Sequence, residues 1–245
     1  MCGNILQMQK NSDIGQDYIN NRLIEPTPIM AHKAEDFDHL SIPDAIQHFN
    51  HMHGFENFPD NRPPKFIGVY TGCLIVPLPN VEVRPKYIKF HDLHHVMTGY
   101  SVGRIGEGQV SAWELGTGSA YKSLLLGFMN LIAISTGFFL KPTAMWHAYV
   151  RGTQSRNLYW NSQRQAIQQN HYATVAELKK AHLEYQKPNL WFGIRVVEFA
   201  VYILLAIVVH FILVIPALIL RVIVDIGLKK PLILMIKPPK RPDLY

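Results

Sequence analysis

Residues 90–108 read FHDLHHVMTGYSVGRIGEG, and they join a histidine-rich segment to a stretch that contains four glycines. The residues before Gly99 are predicted to form a helix of about residues 86–98, opened by Pro85. In such a helix His91 and His95, four residues apart, lie one turn apart on the same face. The glycines predict a tight loop over residues 99–108 that brings the chain back towards this helix.

Four side chains of this stretch form a predicted metal site: His91, Asp92, His95 and Glu107. Asp92 lies about 100° round the helix from His91, so it shares a narrow arc with the two histidines. Glu107 follows His95 after 11 intervening residues, and the loop returns it to the helix. His94 lies outside this arc on the His91 side and is predicted to point elsewhere.

Two imidazoles and two carboxylates form a mixed nitrogen and oxygen ligand set. The set suits a divalent metal, zinc first, but iron and manganese also accept such ligands. The simpler alternative is a solvated helix face on which Asp92 stabilises the imidazoles. Glu107 favours the metal, because acidic residues are otherwise sparse between residues 93 and 176.

The pattern His-Asp-x-x-His, 11 residues, Glu resembles the signature of the coenzyme Q biosynthesis protein 4 family. The match is complete in residue type and spacing for His91, Asp92, His95 and Glu107. Weaker similarity extends over about residues 40–185, for example at Trp113–Glu114. The apolar sequence from Trp191 onward departs from the family.

The resemblance implies an all-α fold and a role in ubiquinone biosynthesis. The implied activity is that of a metal-dependent lyase, which carries out oxidative decarboxylation of a polyprenyl-hydroxybenzoate and places a hydroxyl on the ring carbon that carried the carboxylate. The implied partners are this polyprenylated aromatic substrate and other ubiquinone-biosynthesis enzymes. The alternative is a non-catalytic, metal-stabilised scaffold that binds quinone intermediates or prenyl lipids and organises those enzymes.

Two long apolar runs indicate contact with lipid. Residues 123–140, SLLLGFMNLIAISTGFFL, fit a buried helix or the wall of a lipid-accommodating interior, and they are also just long enough to cross a membrane. Residues 199–220 contain no Lys, Arg, Asp or Glu, which predicts a membrane-associated helix or a hairpin broken at Pro216. A basic cluster follows: Lys229, Lys230, Lys237, Lys240 and Arg241. The chain is therefore expected at a membrane, on the cytoplasmic face of a bacterial inner membrane or, in a eukaryote, at the mitochondrial inner membrane.

Charge and composition further restrict the possible binding partners and the type of fold. Residues 1–120 contain 9 Lys/Arg and 13 Asp/Glu, whereas residues 121–245 contain 15 and 5, so the basic excess accompanies the apolar runs. This pairing favours an anionic membrane over nucleic acid. Two cysteines exclude a disulfide framework. The predicted organisation is a polar leader (1–40), a metal-containing helical domain (41–187) and an apolar tail (188–245), and a homodimer is compatible with it.

Competing sites are less well supported by the residues. An HD-type phosphohydrolase needs a further Asp on a separate helix, but after Asp92 aspartates occur only at positions 225 and 243. A zinc protease of the His-Glu-x-x-His type needs Glu where this chain has Asp92. The histidines of the 41–53 segment, His48, His51 and His53, are predicted to be surface residues. His210 is predicted to pack against a neighbouring helix, with a functional role as the alternative.

Overall fold

The computed structural model describes residues 36–53, 66–71, 74–79, 83–183 and 192–227, all within one compact unit that begins at Asp36. Its helices are α1 (Ile42–His53), α2 (Val83–Thr98), α3 (Arg104–Thr117), α4 (Ser119–Lys122), α5 (Leu124–Leu140), α6 (Pro142–Thr153), α7 (Asn161–Gln168), α8 (Val175–Leu183) and α9 (Phe192–Gly227). Strands β1 (Phe66–Thr71) and β2 (Leu74–Pro79) pair antiparallel, with Phe66 opposite Pro79. The predicted all-α class is confirmed, and the short hairpin is an addition that the sequence did not predict.

Some of the predicted domain organisation falls outside the described residues. This applies to residues 1–35 of the leader and to the basic cluster after residue 228. The division into a leader, a helical domain (41–187) and a tail (188–245) stays a prediction.

Local capping sets the ends of the first two helices. The backbone N–H of Asp44 donates to Ser41 Oγ at 3.3 Å, and the Ser41 hydroxyl donates to the Asp44 carboxylate at 2.6 Å, so Ser41 caps α1 as predicted. α2 ends at Gly99, whose φ of 76° is readily adopted only by glycine. The N–H of Gly99 donates to the carbonyl of His95 at 2.9 Å and closes the last turn.

α3 begins inside a stretch that was predicted to be a loop. The stretch 99–108 was expected to be a loop, but the helix starts at Arg104 and carries Glu107 in its first turn. The glycines within α3 serve close packing instead. A Cβ on Gly108 would lie 2.8 Å from the Cα of Gly137 on α5, so the two backbones meet directly.

Two clusters of buried apolar side chains form the core. The first joins α1, α2 and α8 with the segment between α6 and α7, and it includes Phe49, Phe90, Leu93, Leu158 and Leu178. The second joins α3, α5, α6 and α9, and it includes Trp113, Ile134, Met145, Tyr149 and Ile203. α2 belongs to the first cluster and α3 to the second, so the α2–α3 contact lies where the clusters meet.

α5 packs between α3 and α9, which agrees with the prediction that residues 123–140 form a buried helix. Its buried face includes polar groups that are paired: Asn130 donates to Ser119 Oγ at 2.9 Å, and the Ser135 hydroxyl donates to the carbonyl of Ile132. The rest of the helix is apolar and partly open, with Leu124, Phe128, Phe139 and Leu140 exposed.

α9 is one continuous helix that passes through Pro216 to Gly227. The alternative of a hairpin broken at Pro216 is therefore wrong for the described residues. Gly193–Ile219, 27 residues, is long and apolar enough to cross a membrane, and only 17% of its most apolar window is buried within the fold. His210 is buried against α5, where its Nδ1 lies 3.0 Å from Ser135 Oγ. Because that hydroxyl donates to Ile132, the imidazole N–H donates to Ser135, which is the packing role predicted for His210.

Candidate metal centre

α2 and α3 bring three of the predicted ligands together. His91 and His95 lie one turn apart on α2 and face Glu107 on α3. His91 Nε2 is 3.2 Å from Glu107 Oε2 and 3.3 Å from His95 Nε2, and His95 Nε2 is 3.5 Å from Glu107 Oε1. One ligand atom from each residue lies within 4.8 Å of the other two. The group can therefore hold a metal ion.

The size of the group is comparable with that of a metal site. Two ligands bound at about 2.1 Å in a tetrahedron lie about 3.4 Å apart. The separations here are 3.2, 3.3 and 3.5 Å, and the two that involve Glu107 run to different oxygens, Oε2 for His91 and Oε1 for His95. With a single oxygen of Glu107 the three ligand atoms lie within 4.8 Å of one another, which is the size of a metal site. A cation held by three protein ligands has room for water or substrate, and the Glu107 side chain is 37% exposed.

Asp92, the fourth predicted ligand, is not part of this converging group. On the helix it lies about 100° from His91, on the far side of His95. Its side chain has one methylene, which is shorter than the reach of the two imidazoles. The expectation that four groups converge is corrected to three.

Glu114, which the sequence analysis did not select as a site residue, supports the site by accepting hydrogen bonds from its histidines. The carboxylate is completely buried, and its Oε1 lies 2.9 Å from His91 Nδ1, 2.7 Å from His94 Nδ1 and 2.6 Å from the Tyr159 hydroxyl. His95 has an equivalent support, since its Nδ1 lies 2.9 Å from the carbonyl oxygen of Tyr100. Histidines that bind metals through one nitrogen usually donate the other N–H to such an oxygen.

His94 points away from the triad, as its helical position predicted. Its Nε2 accepts the backbone N–H of Leu158 at 2.9 Å, so its proton is on Nδ1 and donates to Glu114. Burial lowers the pKa of His94 and outweighs the opposing effect of Glu114. His94 is therefore a neutral structural bridge between α2, α3 and the segment that precedes α7.

The site favours a cation electrostatically. Burial alone would raise the pKa of Glu107, but His95 and His91 hold it well below its usual range. Burial would likewise raise the pKa of Glu114, and His91 and His94 reverse that effect. Burial opposes the charged form of His91 too, yet Glu114 and Glu107 raise its pKa well above the ordinary value. Two ionised carboxylates, Glu107 and Glu114, thus lie beside the histidines, an arrangement that favours a cation.

A signal for Glu114 was present in the sequence. It lies seven residues after Glu107, and positions seven apart on a helix share a face. The spacing carried no information while residues 99–108 were predicted to be a loop, because Glu107 then lay outside any helix.

The histidines of α1 are not part of the metal-binding group. In the part of the chain that the structure describes, His48, His51 and His53 belong to no group that converges like the triad. His48 packs edge-on to Phe37 at 5.8 Å between ring centres, and His53 to Phe49 at 4.6 Å.

Comparison of this chain with protein-family models, with curated proteins and with solved structures finds no match.

Proposed function

We propose that this protein is a metal-dependent enzyme that carries out oxidative decarboxylation of a polyprenyl-hydroxybenzoate in ubiquinone biosynthesis. The observation that carries the proposal is the triad His91, His95 and Glu107, whose ligand atoms lie within 4.8 Å of one another and suit one ion. The motif that supplies these residues resembles that of the coenzyme Q biosynthesis protein 4 family.

Zinc is the metal we propose, with iron and manganese as alternatives. Two imidazoles and one carboxylate with a free position are typical of catalytic zinc. The same donors also hold iron in oxygenases, which is why iron stays an alternative.

The metal, when bound, would bind the oxygens of the substrate carboxylate or phenolate and stabilise negative charge on them. The protein's own residues hold the ligands. Glu114 fixes the ring of His91, and the Tyr100 carbonyl fixes that of His95. Replacement of a ring carboxylate by a hydroxyl with release of CO2 is a two-electron oxidation, so the reaction also consumes an oxidant such as dioxygen.

The apolar helices support a lipid substrate and a membrane location. α5 combines a face packed on α3 with exposed Leu124, Phe128, Phe139 and Leu140, next to the exposed length of α9. We propose that α9 attaches the protein to the membrane that contains the polyprenyl substrate. That membrane would be a bacterial inner membrane or the mitochondrial inner membrane.

The decisive experiment combines metal analysis with an activity assay on the purified full-length chain. We expect about one divalent ion per chain and conversion of a polyprenyl-hydroxybenzoate to the hydroxylated product with CO2 release when dioxygen is supplied. Glu107→Gln should bind the metal more than about 100-fold more weakly. The variant should also lose the activity. Asp92→Asn is the matched control, and it should keep both because Asp92 lies outside the triad.

The same variants separate catalysis from a scaffold role. In cells that lack the endogenous activity, Glu107→Gln should fail to restore quinone production while the purified variant stays folded. Wild-type production by that variant would refute the catalytic proposal. A variant that unfolds would instead assign the metal to stability and favour the scaffold that binds prenyl lipids and organises other enzymes.

A further inference from the structure

One ring nitrogen of His210 is not used by the packing of α9 on α5. The Nδ1–H donates to Ser135 Oγ, whose own proton is donated to the carbonyl of Ile132. A neutral imidazole with its proton on Nδ1 has a free electron pair on Nε2, and that nitrogen can only accept a hydrogen bond. Among the residues that the structure describes, no donor pairs with Nε2.

This nitrogen is accessible from outside the fold. His210 as a whole is only 8% exposed. The described polar atoms that are both enclosed and unpaired include Glu114 Oε2 but not His210 Nε2. Because an unpaired atom that is not enclosed reaches the surface, Nε2 is a small polar spot on an otherwise apolar surface.

Two exposed aromatic rings lie beside the imidazole. Phe139 of α5 is 52% exposed, and its ring centre lies 4.9 Å from that of His210. Phe211 is 50% exposed, with its ring centre at 5.8 Å. Aromatic rings attract one another at centre separations of about 4.5–7 Å, so both can contact a further ring. The three side chains form what we call the His210 site, and it suits an aromatic ring that carries a hydroxyl.

The His210 site lies at the depth of the lipid chains if α9 crosses a membrane. Along the helix, His210 is about 25 Å from Gly193 and about 14 Å from Ile219, the two ends of the apolar segment. The hydrocarbon layer is about 30 Å thick and offers neither water nor lipid donors to an acceptor. The donor that suits Nε2 is therefore the hydroxyl of a molecule dissolved in the membrane.

We infer that the His210 site binds a prenylated phenol dissolved in the membrane, with Nε2 accepting a hydrogen bond from the phenolic hydroxyl. A phenol is favoured over an aliphatic alcohol because its ring contacts Phe139 and Phe211 and its O–H is the stronger donor. The inference rests on the membrane location and the substrate class of the proposed function. It adds a binding position separate from the metal centre, because α5 lies between α9 and the helix α3 that carries Glu107.

Nitrogen NMR of the full-length chain tests the inference. Protein with isotopically labelled histidine is freed of metal with EDTA, placed in dodecylphosphocholine micelles and titrated with para-nonylphenol. Two control ligands are para-nonylanisole, the methyl ether that cannot donate a hydrogen bond, and decanol, which donates but has no ring. The Nε2 signal of His210 is assigned by its loss in His210→Asn, whose amide can keep the bond to Ser135.

We expect para-nonylphenol to move the His210 Nε2 signal upfield, as for a nitrogen that accepts a hydrogen bond. Half-saturation should need about tenfold less phenol than ether or decanol. Phe211→Leu should raise the half-saturating phenol concentration about threefold. Phe128→Leu is the matched control, exposed near the other end of α5, and it should leave that concentration unchanged.

Each contrary result overturns a stated part of the inference. Equal shifts with phenol and ether would refute the hydrogen bond, and an equal response to decanol would refute the aromatic class. No shift with any of the three ligands would refute the site itself. Because the titrated protein contains no metal, these outcomes are independent of the metal analysis and the activity assay that test the proposed reaction.

Discussion

The Nδ1 of His91 lies 2.9 Å from Oε1 of Glu114, on the opposite side of the ring from the Nε2 that faces Glu107. A single imidazole therefore connects the buried carboxylate of Glu114 to that of Glu107. This arrangement lets Glu114 determine which nitrogen of His91 is free to bind a metal.

We expect Glu114→Gln to weaken metal binding by about 10–100-fold, although residue 114 is not itself a ligand. The amide keeps the volume but loses the charge, and its NH2 group cannot accept the His91 proton if it turns towards the ring. A chelator competition titration measures the effect, with Asp92→Asn as the control that leaves affinity unchanged. Wild-type affinity in Glu114→Gln would mean that Glu114 only fills space.

The sequence predicted the elements whose signals are local. α1 and α2 were expected close to their observed positions because Ser41 and Gly99 mark a helix start and a helix end by their own chemistry. The three converging ligands were also expected, since two of them share one helix face.

The remaining features depend on partners distant in the chain. The glycines before and within α3 indicated a loop, whereas Gly108 is a glycine because the backbone of Gly137 lies against it. A buried Glu114 is stable only because His91, His94 and Tyr159 surround it, and these come from another helix and from the segment before α7. No local pattern contains that information.

The packing of α9 against α4 and α6 includes hydrogen bonds to Glu198. This carboxylate accepts from Tyr149 on α6 at 2.6 Å, from Tyr121 on α4 at 3.0 Å and from Arg195 at 2.6 Å. Tyr149 is fully buried, whereas Tyr121 is 74% exposed. Tyr149→Phe should therefore cost about 1–2 kcal/mol of unfolding free energy, and Tyr121→Phe less than about 0.5 kcal/mol, because water replaces the exposed bond. Denaturant unfolding in detergent measures both, and equal losses would contradict this ranking.

The buried side chain of His182 is expected to make the folded protein less stable in acid. It is buried on α8 between the Tyr172 hydroxyl and the carbonyl of Arg156, and burial lowers its pKa from 6.5 to about 4. The unfolded chain therefore takes up this proton first as the pH falls, so stability is full above about pH 6.5 and declines towards pH 4. The loss approaches about 3 kcal/mol for a change of this size. Unfolding curves at pH 7 and pH 4.5 should differ less for His182→Gln than for the wild type, whereas His147→Gln, exposed on α6, should keep the wild-type difference.

The contact between α3 and α6 predicts the most damaging small substitution. A Cβ on Gly152 would overlap the backbone carbonyl oxygen of Trp113, and one on Gly116 would overlap that of Tyr149, so neither helix can yield by rotating a side chain. Gly152→Ala should therefore separate the two helices and cost about 3 kcal/mol or more, although alanine favours a helix over glycine by up to about 1 kcal/mol. Thermal unfolding measures the loss, with Thr143→Ala on the exposed start of α6 as a control expected near the wild type. Because α3 carries both Glu107 and Glu114, the displaced helix should also bind metal more weakly. A Gly152→Ala variant with wild-type stability would show that the helices are not in backbone contact.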